Sequence, residues 1–233
     1  TVEISPQTLR AVHLPPFRAA FDAGALSVMT SFNEINGVPA TANYELLTTI
    51  LRDEWGFKGF VVSDYTADME LIAHGFAENP REATKLAFLA GVDMSMQSGY
   101  YVRYLPELVR SGEIPMTTLD QSVRRVLRLK KALGLFDDPY RSLDPEREAV
   151  DLKRPEHRAL AREAARRSIV LLRNENELLP LSKSTKIALI GPFADDRQNL
   201  HGPWTLFADE QEAITVAEGI AAALDDPSLL QVV

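Results

Sequence analysis

Trp55-Gly56-Phe57-Lys58-Gly59-Phe60-Val61-Val62-Ser63-Asp64 holds the junction on which the fold turns. Phe60 to Ser63 is a short apolar run between a glycine and a polar, acidic stretch, which is the pattern of a buried strand. Just upstream, Asn43 is placed to cap a helix over Tyr44 to Trp55, with Gly56 ending it. Downstream, a helix is expected near Asp68–Phe76. Ala25-Leu26-Ser27-Val28-Met29-Thr30-Ser31-Phe32 reads as an earlier buried strand, and Val92-Asp93-Met94-Ser95-Met96 as a third, short one. Asn79-Pro80 opens another helix, a cap followed by proline at the first helical position, and Gly91 stops it after Ala90. Tyr100 to Ser111 reads as helix, and Thr117 with Asp120 resembles a capping box for a helix ending near Gly134. Strands alternating with helices imply an α/β fold with a parallel sheet of βα units.

Further along, residues 137–155 are turn-rich and charged (Asp137-Asp138-Pro139, Asp144-Pro145, Arg154-Pro155), the character of a linker. A helix over His157–Arg167, a strand over Ser168–Arg173 and a strand over Lys186–Ile190 that leaves through Gly191-Pro192 begin a second α/β unit. Leu229 to Val233 reads as the first residues of a further strand. The opening Thr1-Val2-Glu3-Ile4-Ser5-Pro6 lacks an initiator Met and a signal core, so both ends are expected to lie inside a longer chain. Three βα units before the linker do not close an eight-stranded barrel, and two strands after it make a poor domain. The pattern is that of the end of one domain joined to the start of another.

Composition narrows the function classes. The 233 residues are 45% hydrophobic and 25% charged, ordinary for a globular protein, and long enough to bury a sizeable core. With 25 Lys and Arg against 33 Asp and Glu, the net charge of −8 argues against nonspecific nucleic-acid binding. The basic run Arg124 to Lys131 is interleaved with Val123, Val126 and Leu127 at helical spacing, so its charges are expected on a solvated helix face. The absence of cysteine removes disulfides, thiolate metal sites and cysteine nucleophiles. No apolar stretch approaches the ~20 residues that span a bilayer, so no membrane partner is expected. His13, His74, His157 and His201 are scattered without metal-binding spacing, and no metal or organic cofactor is expected. No phosphate-binding glycine loop and no nucleophile elbow is present.

Asp64 is the remaining candidate. It follows a parallel strand at its carboxyl end, where α/β folds place their ligand crevices. There it can serve as nucleophile, base or metal ligand, while Ser63, Asp64 or Thr66 can equally cap the next helix. Asp93 is a second acid, whose simplest role is to orient neighbours from a buried site. Asn33 and Asn36-Gly37 most simply form a turn, and Phe32, Tyr65, Tyr100 and Tyr101 supply either a sugar-stacking wall or core packing.

Five segments in order resemble glycoside hydrolase family 3: Asn36-Gly37-Val38-Pro39-Ala40-Thr41, Leu51 to Asp64, Gly91-Val92-Asp93-Met94-Ser95-Met96, Gly134 to Tyr140 and Ile190-Gly191-Pro192-Phe193-Ala194-Asp195. The likeness covers essentially the whole chain and is nearest to bacterial periplasmic members acting on β-glucosides. It implies that residues 1–136 are the last βα units of a (β/α)8-type barrel, 137–155 a linker and 156–233 the beginning of an α/β-sandwich domain. It implies that Asp64 is the catalytic nucleophile, that Met29 and Phe32 line the sugar subsite and that Tyr65 stands beside the nucleophile. Phe32 falls where many relatives have Tyr, and Tyr65 where many have Trp or His.

The implied activity is retaining, exo-acting hydrolysis that releases terminal β-D-glucose from β-glucosides or cello-oligosaccharides, without cofactor, in the periplasm or outside the cell. A β-xylosidase or broad β-glycosidase is the alternative; a non-catalytic carbohydrate-binding or interaction fragment is the alternative of another class. A homodimer is compatible with the resemblance. The family's acid/base Glu matches none of Glu175, Glu177, Glu210 and Glu212, and is expected beyond Val233, so the 233 residues alone are expected to be inactive.

Overall fold

The computed structural model describes residues 2–152, 154–203, 205–206 and 212–233, and the chain divides into two compact units, Thr1–Ala149 and Val150–Val233. In the first unit a short helix α1 (Pro6–Thr8) continues through a π-helical segment, Leu9–His13, into α2 (Leu14–Asp22). Strand β1 (Ser27–Met29) follows, then a small antiparallel hairpin, β2 (Glu34–Ile35) and β3 (Val38–Pro39). Its turn is Asn36-Gly37, both at positive φ, as a two-residue hairpin demands. The expected turn is therefore present.

The helix expected over Tyr44 to Trp55 forms over Glu45–Glu54 and is wound as a π-helix, with Trp55 N–H reaching the Ile50 carbonyl at 3.1 Å. Asn43 Oδ1 accepts the Leu46 amide at 3.0 Å, and Gly56 turns the chain out at φ +68°. Strand β4 (Phe60–Val62) then pairs in parallel with β1, in the register Ser27 to Phe60, Val28 to Val61 and Met29 to Val62. Helix α3 (Ala67–Ala73) comes next, and α4 (Pro80–Ala90) is capped by Asn79, whose side chain accepts the Glu82 amide at 3.0 Å. Gly91, at φ +117°, ends α4.

Residues 92–96 fall short of the expected strand. A single parallel bridge joins Met94 to Val62, and the backbone then curls to bond the turn after β4. Helices α5 (Tyr100–Arg110) and α6 (Met116–Ala132) complete the packed part. The capping box at Thr117 and Asp120 does not form. Pro115 holds the N-cap position, which puts Thr117 in the first turn of the helix and not at its cap, the position from which its side chain forms the box.

Three apolar clusters hold this unit together. Leu47, Leu51, Phe57, Val61, Ala90 and Val92 pack beneath the β1–β4 pair. Leu71, Ala77, Ala83 and Ala87 join α3 to α4, and Phe88, Leu108 and Ile114 join α4 to α5. Each large side chain removed from water here contributes about 1.5–3 kcal/mol before conformational entropy is charged against it. Gly59 is required where the chain enters β4, because a Cβ there would run into the Leu26 carbonyl and the Phe57 ring.

In the second unit, α7 (Pro145–Asp151) crosses the division, and α8 (Pro155–Ser168) covers the helix expected over His157–Arg167. The strand expected over Ser168–Arg173 is absent. Ser168 closes α8, and Ile169 to Leu172 run on without ladder partners, Leu172 being 92% exposed. An apolar β-branched run makes a strand only when a neighbour takes its backbone bonds, and none of the described residues does so. Strand β5 (Ile187–Leu189) pairs in parallel with β6 (Leu230–Val232), the strand read at the end of the sequence. Between them lies α9 (Val216–Ala221), opened by a complete capping box of Thr215 and Glu218.

Candidate active site

β1, β4 and the bridge residue Met94 run in parallel, so Thr30, Ser63-Asp64 and Ser95-Met96 emerge together at the carboxyl edge. Thr30 N–H donates to the Val62 carbonyl at 3.0 Å and Ser63 N–H to the Met94 carbonyl at 2.9 Å, carrying the ladder up to that edge. Asp64 is the first residue past it. Its Oδ1 accepts the Tyr65 amide at 2.7 Å, and among the described residues Oδ2 has no hydrogen-bond donor. The carboxyl is half-buried and uncommitted, which suits a group that must meet a ligand.

The capping alternative is not realised. Thr66 occupies the N-cap of α3 at φ +62° without a side-chain bond to the helix. The Thr66 hydroxyl donates to the Tyr65 carbonyl, and Ser63 Oγ donates to the Asp64 carbonyl while accepting the Met96 amide at 2.8 Å. Ser63 and Thr66 are engaged elsewhere, and Asp64 accepts the Tyr65 amide, which lies before α3 and does not cap it.

The neighbours expected around Asp64 sort by burial. Met29 ends β1 and is 48% exposed, Tyr65 is exposed, and Phe32 is half-buried in the segment leading to β2. Tyr101 belongs to the core instead of a sugar wall: it packs edge-on against Phe88, with ring centroids 5.4 Å apart, and donates its hydroxyl to the Val92 carbonyl. Burial, followed by the charge of Asp68, pushes its phenol well above the ordinary value. Tyr100 packs similarly on Tyr104. A separate apolar groove of about 320 Å³ is lined by Leu9, Phe17, Phe21, Met29, Leu46 and Trp55 among others. Asp64 is not part of its wall.

Asp93 shows what a structural carboxylate looks like in this sheet. Its Oδ2 accepts Val61 N–H at 3.0 Å and Arg52 Nη2 at 2.8 Å; Oδ1 accepts Arg125 Nε at 2.9 Å and Nη2 at 2.6 Å. The expected orienting role is therefore met, and by side chains as well as backbone. Arg125 departs from the solvated face expected of Arg124 to Lys131, because it turns inward to this acid. Burial lowers the Arg52 guanidinium, with the attraction of Asp93 opposing that shift.

Asp68 escaped notice in the sequence, where it reads as an ordinary first-turn acid. It is fully buried, and Oδ2 accepts from Ser95 Oγ and Ser98 Oγ, each at 2.7 Å. Its sequence signal is its place four residues after Asp64, one helical turn before the apolar Leu71 and Ile72.

Of the other acids, Glu175 pairs with Arg173 and Glu212 with Arg158, both on the surface, while Glu210 lies outside the described residues. Among the described residues no group of three or more His, Asp or Glu is placed to hold a metal ion. None of their helices is long and apolar enough to cross a membrane.

Comparison with known proteins gives two family matches: residues 1–129 to the "Glycosyl hydrolase family 3 N terminal domain" and residues 169–232 to the "Glycosyl hydrolase family 3 C-terminal domain". A periplasmic beta-glucosidase of Salmonella typhimurium is 47% identical over 229 residues, covering 97% of this chain and 30% of that protein. A beta-xylosidase of Formosa agariphila is 41% identical over 215 residues, covering 88% of this chain and 30% of that protein. The crystal structure of a beta-glucosidase from Listeria innocua in complex with glucose superposes with a TM-score of 0.82 at 41% identity, over 99% of this chain and 31% of that one. The chain thus spans about a third of the length of these relatives.

Proposed function

The chain belongs to glycosyl hydrolase family 3, and from that premise we propose that it carries the nucleophile of a retaining, exo-acting β-glycoside hydrolase releasing terminal β-D-glucose. The observation that carries this reading is the state of Asp64: a half-buried carboxyl at the carboxyl edge of a parallel strand pair, held by one backbone amide. In the first step Asp64 attacks the anomeric carbon, and the aglycone leaves with a proton from a second carboxyl group. Water activated by that second group then cleaves the glycosyl–enzyme ester. Retention requires the two carboxyls about 5–5.5 Å apart. Residues 1–233 supply the nucleophile half of that pair.

Within that reading, residues 1–136 are the last βα units of a (β/α)8-type barrel, 137–155 the linker and 156–233 the opening of an α/β-sandwich domain. Met29 and Phe32 line the sugar subsite, and Tyr65 stands at its outer side. Phe32 brings no hydroxyl to the sugar. The substrates are β-glucosides or cello-oligosaccharides, and the compartment is the periplasm or the exterior, in keeping with the Salmonella relative. A β-xylosidase is the second reading, favoured by the likeness to the Formosa agariphila protein.

The test is to incubate the intact protein that carries this segment with an activated 2-deoxy-2-fluoro-β-glucoside, weigh it and map its peptides. A label on Asp64 is expected. Label on another carboxyl overturns the assignment, faster labelling by the corresponding xyloside favours the second reading, and no label from either sugar leaves a binding fragment.

A further inference from the structure

Resting on the reading of Asp64 as nucleophile, we infer that Asp68 is its positioning residue: a buried acid that aims the Asp64 carboxyl by holding Ser95–Ser98 against the Ser63–Thr66 turn. Three backbone or hydroxyl contacts join these segments. Met94 C=O accepts Ser63 N–H at 2.9 Å, Ser63 Oγ accepts Met96 N–H at 2.8 Å, and Met96 C=O accepts Thr66 N–H at 3.1 Å. The first two grip the residue before Asp64, and the third grips the residue two places after it. Asp64 sits in the span between them, so its backbone follows wherever the 94–96 segment is held.

That segment has no ladder of its own beyond the single bridge at Met94. What fixes it is Asp68, through Ser95 and Ser98. A carboxylate oxygen offers only acceptor lone pairs, and here one oxygen takes two hydroxyl donors at 2.7 Å. Ser98 Oγ also accepts the Tyr100 amide at 3.1 Å, which ties the end of the loop to α5. Two non-glycine residues, Thr66 at φ +62° and Gln97 at φ +73°, lie in the left-handed region, one on each side of the contact. Such conformations persist only where surrounding bonds over-determine them. Asp68 is the shared anchor: it lies in the first turn of the helix that follows Thr66, and its side chain holds the serines on both sides of Gln97.

A purely structural Asp68 would change stability and leave the reaction of folded protein alone. A positioning Asp68 changes the rate at which Asp64 attacks, with little effect on how the sugar first binds. The experiment uses the intact protein as wild type, as Asp68→Asn, as the pair Ser95→Ala with Ser98→Ala, and as all three substitutions combined. Its readouts are the labelling rate by the activated 2-deoxy-2-fluoro-β-glucoside per folded molecule, kcat and KM on an aryl β-glucoside, and the thermal midpoint.

Asp68→Asn is expected to slow labelling and kcat about tenfold or more while KM stays within about threefold. The serine pair should lose a similar factor. The combination should lose no more than either, because all three act through one contact. Labelling of Asp68→Asn at the wild-type rate, or losses that multiply in the combined variant, overturns the inference. If Asp68→Asn does not fold, Ser95→Ala removes one donor and keeps the acid: slower labelling at unchanged KM supports the role, and a wild-type rate overturns it. A wild type that takes no label on Asp64 is a different failure, since it removes the nucleophile reading and this inference with it.

Discussion

The region around Asp93 and the strand edge around Asp64 belong to the same small parallel sheet, yet they treat a carboxylate in opposite ways. Asp93 has a side chain only 1% exposed, and both of its oxygens are taken, by two guanidinium groups and the Val61 amide. Asp64 gives one oxygen to its neighbour's amide and leaves the other open. Saturation makes an acid a structural pin, because every acceptor site already has its donor. Openness leaves an acid able to react. Arg52 and Arg125 reach the sheet from the π-helix Glu45–Glu54 and from α6, so two separate elements are locked to the strand through one side chain. Among the described residues no such pair converges on Asp64, whose surroundings are held by the backbone contacts of Ser63 and Thr66.

The largest expected effect breaks the comparison on the reactive side. Asp64→Asn in the intact protein should abolish labelling and lower kcat on the order of 10⁴-fold or more, as removal of a nucleophile does. Its thermal midpoint should stay near the wild-type value, because Asp64 accepts only one amide bond. Equal loss of activity and of folding would make Asp64 a pin like Asp93.

On the other side, Asp93→Ala should cost about 3–5 kcal/mol in urea unfolding, since Arg52 and Arg125 would be left in a buried site without their partner. An unchanged midpoint would show that the two arginines are satisfied without the acid. Gly59→Ala should cost roughly 1–3 kcal/mol by forcing the Leu26 carbonyl and the Phe57 ring apart where β4 begins, again read by urea unfolding.

The smallest effect concerns a third kind of acid. Glu113, on the surface, is held down to about 2, first by the Arg81 hydrogen bond and then by Lys85, with Ser111 adding to it. Its folded value lies below the unfolded one, so its stabilisation is complete above the ordinary glutamate range of about 4.5. It is lost as pH falls from there towards about 2. Glu113→Gln should therefore lower the thermal midpoint slightly at neutral pH and flatten its decline over that window, so that the two proteins converge near pH 2. Parallel curves for both proteins would assign the acid sensitivity to other groups.

Much of this was legible in the chain itself. Asn43, Asn79 and Gly91 marked helix ends because caps are local chemistry, a side-chain oxygen or a glycine acting within three residues. Phe60 to Val62 announced a buried strand by an unbroken apolar run, and the segments around Asp64 carried the family resemblance. The Thr215–Glu218 capping box had the same kind of local signal and was overlooked. The misreadings were non-local. Whether Ser168 to Arg173 becomes a strand depends on a neighbour that sequence does not name, and the expected box at Thr117 lost to a helix that starts two residues earlier.

By itself, then, the sequence determined where helices begin and stop, which runs are apolar and which family the chain joins, since each of these is written in nearby residues or in ordered motifs. Only the tertiary structure decided what each carboxylate does. Asp64, Asp68 and Asp93 are the same residue type, each beside or within a strand or first helical turn. What separates them is that Asp68 and Asp93 receive donors from residues 27 to 41 positions away while Asp64 receives the amide of its own neighbour, and that is set by how the chain packs.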